Sequence, residues 1–221
     1  MTIVHIICEG QTEEAFIQNL LVEPFAHKGI YLMPSLVGRP GHKGGNFKFE
    51  RVYPDIKNRL LADGNCYCTT FFDYYGLPES FPGKTSSSQI SIMEEKAKHI
   101  QDAFTQELTN KLGEHAMQRF IPYIQMYEFE ALLFSHPQKM AQGMERQELT
   151  DSFASILREF TSPEHINNSP QTAPSKRIEN LINGYEKPLL GILAALEIGV
   201  STMREHCILF NEWLAKLESL K

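Results

Sequence analysis

Strand-like and helical segments alternate along the first 130 residues of the chain. Residues 2–8 are a short apolar run rich in β-branched side chains, the pattern of a buried strand. Glu9 and Gly10 end it, and Thr12 is placed to cap a helix whose first turn carries Glu13 and Glu14. Phe16, Ile17, Leu20 and Leu21 then recur at helical spacing, and this helix should stop near Pro24 or by Gly29. Residues 30–37 read as extended and 48–62 as helical, with Pro54 near the start of the main helix. Residues 66–74, CYCTTFFDY, form a strong strand. A charged amphipathic helix over 89–112 precedes a last strand over 119–127, where Pro122 implies an edge or a bulge. This alternation favours an α/β fold with a mainly parallel sheet and helices on both faces.

From Glu128 onward the pattern is helical, interrupted by a polar stretch over 161–175. The expected organisation is an α/β domain over residues 1–135 and a helical C-terminal extension over 136–221, packed on it as one structural unit. In the last helix Leu209, Phe210, Trp213, Leu214 and Leu217 make an apolar stripe. The ordinary use of such a stripe is packing on the sheet domain; the alternative is a docking surface.

A chain of 221 residues is long enough for one sizeable core. Its 27 acidic residues exceed its 21 Lys and Arg, for a formal charge of -6. A net acidic chain is a poor stand-alone binder of long duplex DNA, because that affinity comes mainly from neutralising phosphates. A local basic groove, a metal ion or a basic partner can still supply the attraction. Cys8, Cys66, Cys68 and Cys207 lack zinc-type spacing and read as reduced, buried thiols. The opening MTIVHIIC has no basic n-region and no cleavage site, so it reads as a strand and not a signal peptide. No stretch approaches the roughly 20 apolar residues of a membrane span, and a cytoplasmic location is expected.

In an open parallel sheet, ligands bind beyond the carboxyl ends of the strands. Acidic residues fall at three such ends: Glu9 after the first strand, Asp73 at the end of the third, and Glu128 with Glu130 after the fourth. Carboxylates gathered there repel and resist ionisation, and a divalent cation removes that penalty. Magnesium suits such a site because it takes oxygen ligands and keeps waters that phosphate displaces. Being nearer the strand end, Glu128 is expected to point inward more than Glu130. The competing use of each acid is a solvated residue or a helix cap.

A glycine-rich loop carries Arg39, His42, Lys43 and Lys48, a candidate for phosphate contact through side chains and backbone N–H groups. Its ordinary reading is a solvated surface loop. Ser175, Lys176 and Arg177 are a second candidate, although Ser175 equally suits a helix cap. The GKT at 83–85 is not a Walker motif, since the required preceding glycine is Pro78. His5 reads as a core histidine and His136, before Pro137, as a helix boundary.

CEGQTEEAF (8–16) resembles the EGxTE signature that opens TOPRIM domains of overcoming-lysogenization-defect nucleases. FFDYYGLP (71–78), IPYIQMYEFEALLFS (121–135), PSKRI (174–178) and REHCILFNEWLAKLE (204–218) resemble the bacterial domain-of-unknown-function family four-two-seven-six, which is grouped with TOPRIM-like domains. The resemblance implies a TOPRIM/Rossmann-like sheet. It also implies that Glu9 serves as metal ligand or general acid/base and that Asp73 is the first member of an Asp-x-Asp pair. The second member is Tyr75 here, which strand alternation would put on the same side as Asp73. Glu128, Glu130 or Glu13 would then complete the ligand set for one or two magnesium or manganese ions.

Two functions follow. One is a magnesium-dependent phosphodiesterase or nuclease acting on nucleic acid or a nucleotide. By the resemblance, it would work with an ABC- or AAA-type ATPase in phage defence or DNA repair. The other is a non-catalytic TOPRIM-like module that docks onto such an ATPase. Tyr75 and the net acidity favour the second.

Overall fold

A computed structural model of the chain describes residues 1–38, 48–167 and 169–220. Its centre is a parallel sheet of β1 (Thr2–Cys8), β2 (Ile30–Leu36), β3 (Tyr67–Asp73), β4 (Phe120–Ile121) and β5 (Ile124–Gln125). The order is β2-β1-β3-β4, and β5 also pairs with β3. The first strand pairs from Thr2↔Ile30 to Cys8↔Leu36 on one side and from Val4↔Tyr67 to Cys8↔Phe71 on the other. All the pairings are parallel, so the carboxyl ends of β1 and β3 lie side by side.

Alternate residues of each strand enter two separate cores, as a strand's period of two requires. Val4, Ile6, Cys8 and Phe71 join one cluster, while Ile7, Cys68 and Phe72 join the other. The second cluster is closed by α3 (Phe49–Ala62) and α5 (Met93–Leu112), through Val52, Ile56, Ile100 and Phe104. The first is closed by α1 (Gln11–Phe16) and by helices of the C-terminal part.

Helix α1 starts earlier than expected. Gly10 is its N-cap, not Thr12, because the Glu13 carboxylate reaches back to accept the Gly10 N–H at 2.8 Å. Of the two ends expected for it, the later one holds: the helix runs past Pro24 and stops before Gly29. A π-helical turn (Ile17–Leu21) leads into α2 (Val22–Ala26), and the chain turns at Gly29, φ +78°. The wider turn lies where Pro24, lacking an N–H, disturbs regular bonding to Leu20. Pro54 falls in the second turn of α3 and not at its start.

The expected strand over 119–127 is split, because Pro122 cannot donate to the ladder. The Thr70 hydroxyl bridges the gap: it accepts the Tyr123 N–H at 3.1 Å and donates to the Tyr123 carbonyl at 2.9 Å.

Beyond the sheet come α4 (Lys84–Ser87), α6 (Glu114–Met117), α7 (Pro137–Gly143), α8 (Thr150–Arg158), α9 (Pro174–Leu181), α10 (Lys187–Ile198), α11 (Val200–His206) and α12 (Ile208–Glu218). His136 caps α7, its Nδ1 accepting the Lys139 N–H at 3.3 Å. Gly143 lets α7 meet α10 closely; a β-carbon there would lie 2.6 Å from the Leu193 carbonyl oxygen. The stripe on α12 is core. Phe210, Trp213, Leu214 and Leu217 are buried with residues of β1, each such burial contributing roughly 1.5–3 kcal/mol. Trp213 stacks on Tyr123 with centroids 4.5 Å apart and donates its Nε1–H to Thr69 at 2.9 Å. All four cysteines are free and buried. Among the described residues no helix is long and apolar enough to cross a membrane.

Candidate functional site

The register of β1 on β3 brings the first two acids together. Glu9 follows Cys8, and its N–H donates to the Phe71 carbonyl at 3.2 Å. Its side chain then lies over the end of β3, where Oε2 accepts the Asp73 N–H at 3.0 Å. Glu9 and Asp73 therefore share one edge of the sheet, as the strand-end argument anticipates. Glu13, one turn into α1, faces the same edge and is fixed on Gly10. Glu128 follows β5, and its Oε2 accepts the Ser175 N–H at 2.8 Å. The hydroxyl of Ser175 does not cap α9; the Glu128 carboxylate meets that helix's N-terminus instead.

The relative placement of Glu128 and Glu130 reverses the expectation. Glu130 is the inward one, 1 % exposed, while Glu128 is half-buried. Residues Phe129–Ser135 form a 3-10 segment enclosed between the sheet core and the C-terminal helices, so Glu130 is buried with its neighbours. There it pairs with Lys187 at 3.3 Å, from the start of α10.

The cluster is electrostatically loaded. Burial, then Glu13, Glu9, Glu130 and Glu128, hold the Asp73 carboxyl well above its ordinary pKa. Asp73 as a residue is half-buried, yet its Oδ1 is shielded and has no hydrogen-bond partner among the described residues. Burial and the neighbouring Glu13 push Glu9 up to about 7. Burial lifts Glu13 as well, against its backbone hydrogen bonds. Burial brings Glu130 to about 7 in spite of the opposing Lys187. For Lys187 burial works against the charge, but Glu130, Glu128 and Asp73 outweigh it and raise its pKa. The Lys187 ammonium thus acts on all five carboxyl groups.

Lys187 and Tyr185 escaped the sequence argument. The Tyr185 hydroxyl is buried without a partner among the described residues, near Glu130 and Glu128. Both residues come from the helical part, where no motif or strand end marks them; only the packing of α10 on α1 brings them in.

Tyr75 does not occupy the position that alternation implied. The strand ends at Asp73 and Tyr74–Gly76 is a 3-10 turn, so a period of two no longer applies. The Tyr75 hydroxyl donates to Asn167 Oδ1, and its ring lies 5.5 Å from that of Tyr127.

Of the basic candidates, Arg39, His42 and Lys43 lie outside the described residues. Lys48 is exposed at the start of α3. Lys176 pairs with Glu179 at 2.6 Å. Arg177 pairs with Glu159 at 3.4 Å, donates to the Thr172 carbonyl at 2.9 Å and lies 5.0 Å from the Phe160 ring. Both flank the α9 terminus that meets Glu128, but these contacts are with that helix's own surroundings. Lys84 of the GKT sequence turns back to donate to the Tyr74 carbonyl at 2.5 Å, unlike a phosphate-loop lysine. His5 is half-buried, and burial followed by Arg59 lowers its pKa.

The donor set is all oxygen, which suits magnesium or manganese, and Asp73 Oδ1 is an acceptor left for a cation to satisfy. Among the described residues, however, no three His, Cys, Asp or Glu side chains are grouped to hold an ion. Glu9, Glu13, Glu128 and Glu130 each turn to another partner. Ion binding at this edge requires some of those side chains to rotate inward.

The family described as Domain of unknown function (DUF4276) matches residues 8–218. The chain is similar in structure to the C-terminal region of the OLD protein of Xanthomonas campestris pv. campestris, phased with iodine. That match has 13% identity and a TM-score of 0.43, covering 97% of this chain and 93% of that chain. The same region phased with mercury matches at 14% identity and a TM-score of 0.38, over 97% and 95% of the two chains. No curated protein matches the chain.

Proposed function

This chain belongs to the DUF4276 family, and from its acidic strand-end site we propose that it is a magnesium-dependent phosphodiesterase or nuclease of TOPRIM type. The observation that carries this reading is the Asp73 Oδ1 atom, shielded and unpartnered among the described residues, amid Glu9, Glu13, Glu128 and Glu130. A fold gains nothing from crowding carboxyl groups that repel one another; a site that takes up a cation does. Asp73, Glu9 and Glu128 or Glu130 would hold the ion, with Glu13 as a further donor. A bound magnesium would neutralise and polarise the phosphate.

The protein's own groups have separable tasks. Glu9, raised to about 7, is suited to exchange a proton near neutral pH. Lys187 is placed to steady a phosphoryl oxygen once Glu130 turns to the cation. The substrate is a phosphodiester of a nucleic acid or nucleotide. The working context we propose is phage defence or DNA repair beside an ABC- or AAA-type ATPase.

The test is calorimetric titration of wild type and Asp73→Asn with magnesium and manganese, joined to cleavage of DNA and RNA strands. Wild type should bind and cleave, and Asp73→Asn should lose both. Wild type that binds neither ion would remove this reading. It would favour a second one, a non-catalytic TOPRIM-like module docking on an ATPase. That alternative draws on Tyr75, committed to Asn167, and on Lys187, already serving Glu130 as counter-ion.

A further inference from the structure

A second constellation borders the acidic edge, and apart from Glu128 the phosphodiester chemistry does not use it. Lys84 is 6 % exposed, yet the one hydrogen bond of its ammonium among the described residues goes to the Tyr74 carbonyl at 2.5 Å. An ammonium has three donors, so two are unspent. The charge rests instead against aromatic faces, 3.2 Å from the centre of the Tyr74 ring and 5.9 Å from that of Tyr75. Burial draws its pKa down to about 8, outweighing the carboxylates of Glu79 and Glu9, neither of which pairs with it. Lys96 brings a second ammonium, 5.8 Å from the Tyr74 ring and 5.9 Å from the Tyr127 ring.

The tyrosine rings are held in place. Asn167 accepts from the Tyr75 hydroxyl and also hydrogen-bonds that of Tyr127, and the two rings lie 5.5 Å apart. Tyr74, Tyr75, Leu77, Glu79, Lys84 and Glu128 line a cleft of about 330 Å³. That lies at the low end of small-molecule sites, room for about one nucleoside unit. Glu128 belongs to both places, since it lines the cleft and also acts on Asp73. A fixed aromatic ring, an under-used buried ammonium and an adjacent acidic edge match the three parts of a nucleotide chain: base, phosphate and the next phosphodiester.

We propose that this cleft is a base subsite, in which an unstacked nucleobase of a single-stranded polynucleotide lies on the Tyr75 ring and Lys84 donates to that nucleotide's phosphate. The position of the neighbouring phosphodiester at Asp73 and Glu9 rests on the function proposed above. Stacking on a tyrosine reads a face that every base has, so the subsite is tolerant of sequence. A base-paired duplex does not offer that face unless a nucleotide is turned out of the stack.

The test uses the full chain in chelator, so that binding is read apart from cleavage. The probes are ten-nucleotide DNA and RNA strands carrying 2-aminopurine, the same strands with abasic positions, and a DNA duplex. Wild type should bind single strands and quench 2-aminopurine, with weaker binding to abasic strands and to duplex; the two sugars show which polynucleotide is preferred. Tyr75→Ala should weaken binding about fivefold or more, whereas Tyr75→Phe, which keeps the ring, should retain it. Lys84→Met should flatten the dependence of log affinity on log salt by about 0.7, the loss of one phosphate contact to a single strand. Abasic strands bound as tightly as intact ones would overturn the proposal, and so would Tyr75→Ala binding like wild type. This holds whether or not Tyr75→Ala folds, because the abasic arm uses wild type alone. Magnesium-dependent cleavage of abasic and intact strands at one rate would sink the base subsite and leave the phosphodiesterase. Quenching by a protein that binds no metal would support the subsite and remove the phosphodiesterase.

Discussion

The Glu9 carboxylate lies in the space that a side chain on Gly76 would need: a β-carbon there would fall well inside contact distance of Glu9 Oε1, Cδ and Oε2. Gly76 ends the turn after Asp73, and the Asp73 N–H fixes Glu9 over it. The absence of one side chain thus sets the position of the acid proposed to handle the proton. Gly76→Ala should break the bond from the Asp73 N–H, push the far end of the flexible Glu9 side chain aside and leave the fold intact. Metal affinity and phosphodiester cleavage should drop towards the level of Glu9→Gln, for which a fall on the order of 10²–10⁴ is expected. Metal-free Glu9→Gln should melt no lower than wild type, because it removes one charge from a repelling group. Wild-type cleavage by Gly76→Ala would show that this position of Glu9 is not the working one.

Stability should fall as pH rises through the acidic range when metal is absent. Glu9 and Glu130 have folded pKa values of about 7, above the ordinary glutamate value of about 4.3. Groups raised in this way are protonated more readily in the folded chain than in the unfolded one. The stability they contribute is fully present below the unfolded pKa and is lost as pH climbs towards 7. Thermal melts in chelator at constant ionic strength should therefore show a midpoint lower at pH 8 than at pH 5, by roughly several degrees. Magnesium should reduce or reverse the trend, since a cation favours the ionised carboxylates. A midpoint that rises with pH in chelator would contradict this account of the cluster.

Glu164 is a buried acid of a different kind. It is 0 % exposed, and its carboxylate accepts the Leu209 and Phe210 N–H groups at 3.0 Å each. These belong to the first turn of α12, so Glu164 ties that terminus to the 3-10 turn at Pro163–His165. Glu164→Ala would leave two enclosed donors unpaired and a small cavity, with an expected loss of about 2–4 kcal/mol. Glu164→Gln keeps a neutral acceptor and should lose less. Denaturant midpoints of the three proteins decide it, and equal midpoints would mean that the tie contributes nothing.

The strands, the parallel sheet and the positions of Glu9, Asp73 and Glu128 were legible because they rest on local rules. Apolar runs of β-branched and aromatic residues make strands, alternation with helices makes those strands parallel, and parallel strands end on one edge. Where a local rule competed with another, the reading slipped. Thr12 is a good cap by type, but Glu13 folding back onto Gly10 starts the helix earlier. Alternation carried past Asp73 gave Tyr75 a place beside it, but the chain leaves the strand there for a 3-10 turn.

By itself, then, the sequence determined where the strands run along the chain and that Glu9, Asp73 and Glu128 follow their carboxyl ends, because period and chain order fix both. Only the tertiary structure decided that Glu130 and not Glu128 is enclosed, that Lys187 is the cation facing the cluster, and that Lys84 lies against Tyr74 beside it. Those pairings join segments far apart in the chain. They depend on how α10 packs over α1 and on how the turn after β3 folds, and no spacing within either segment encodes the distance between them.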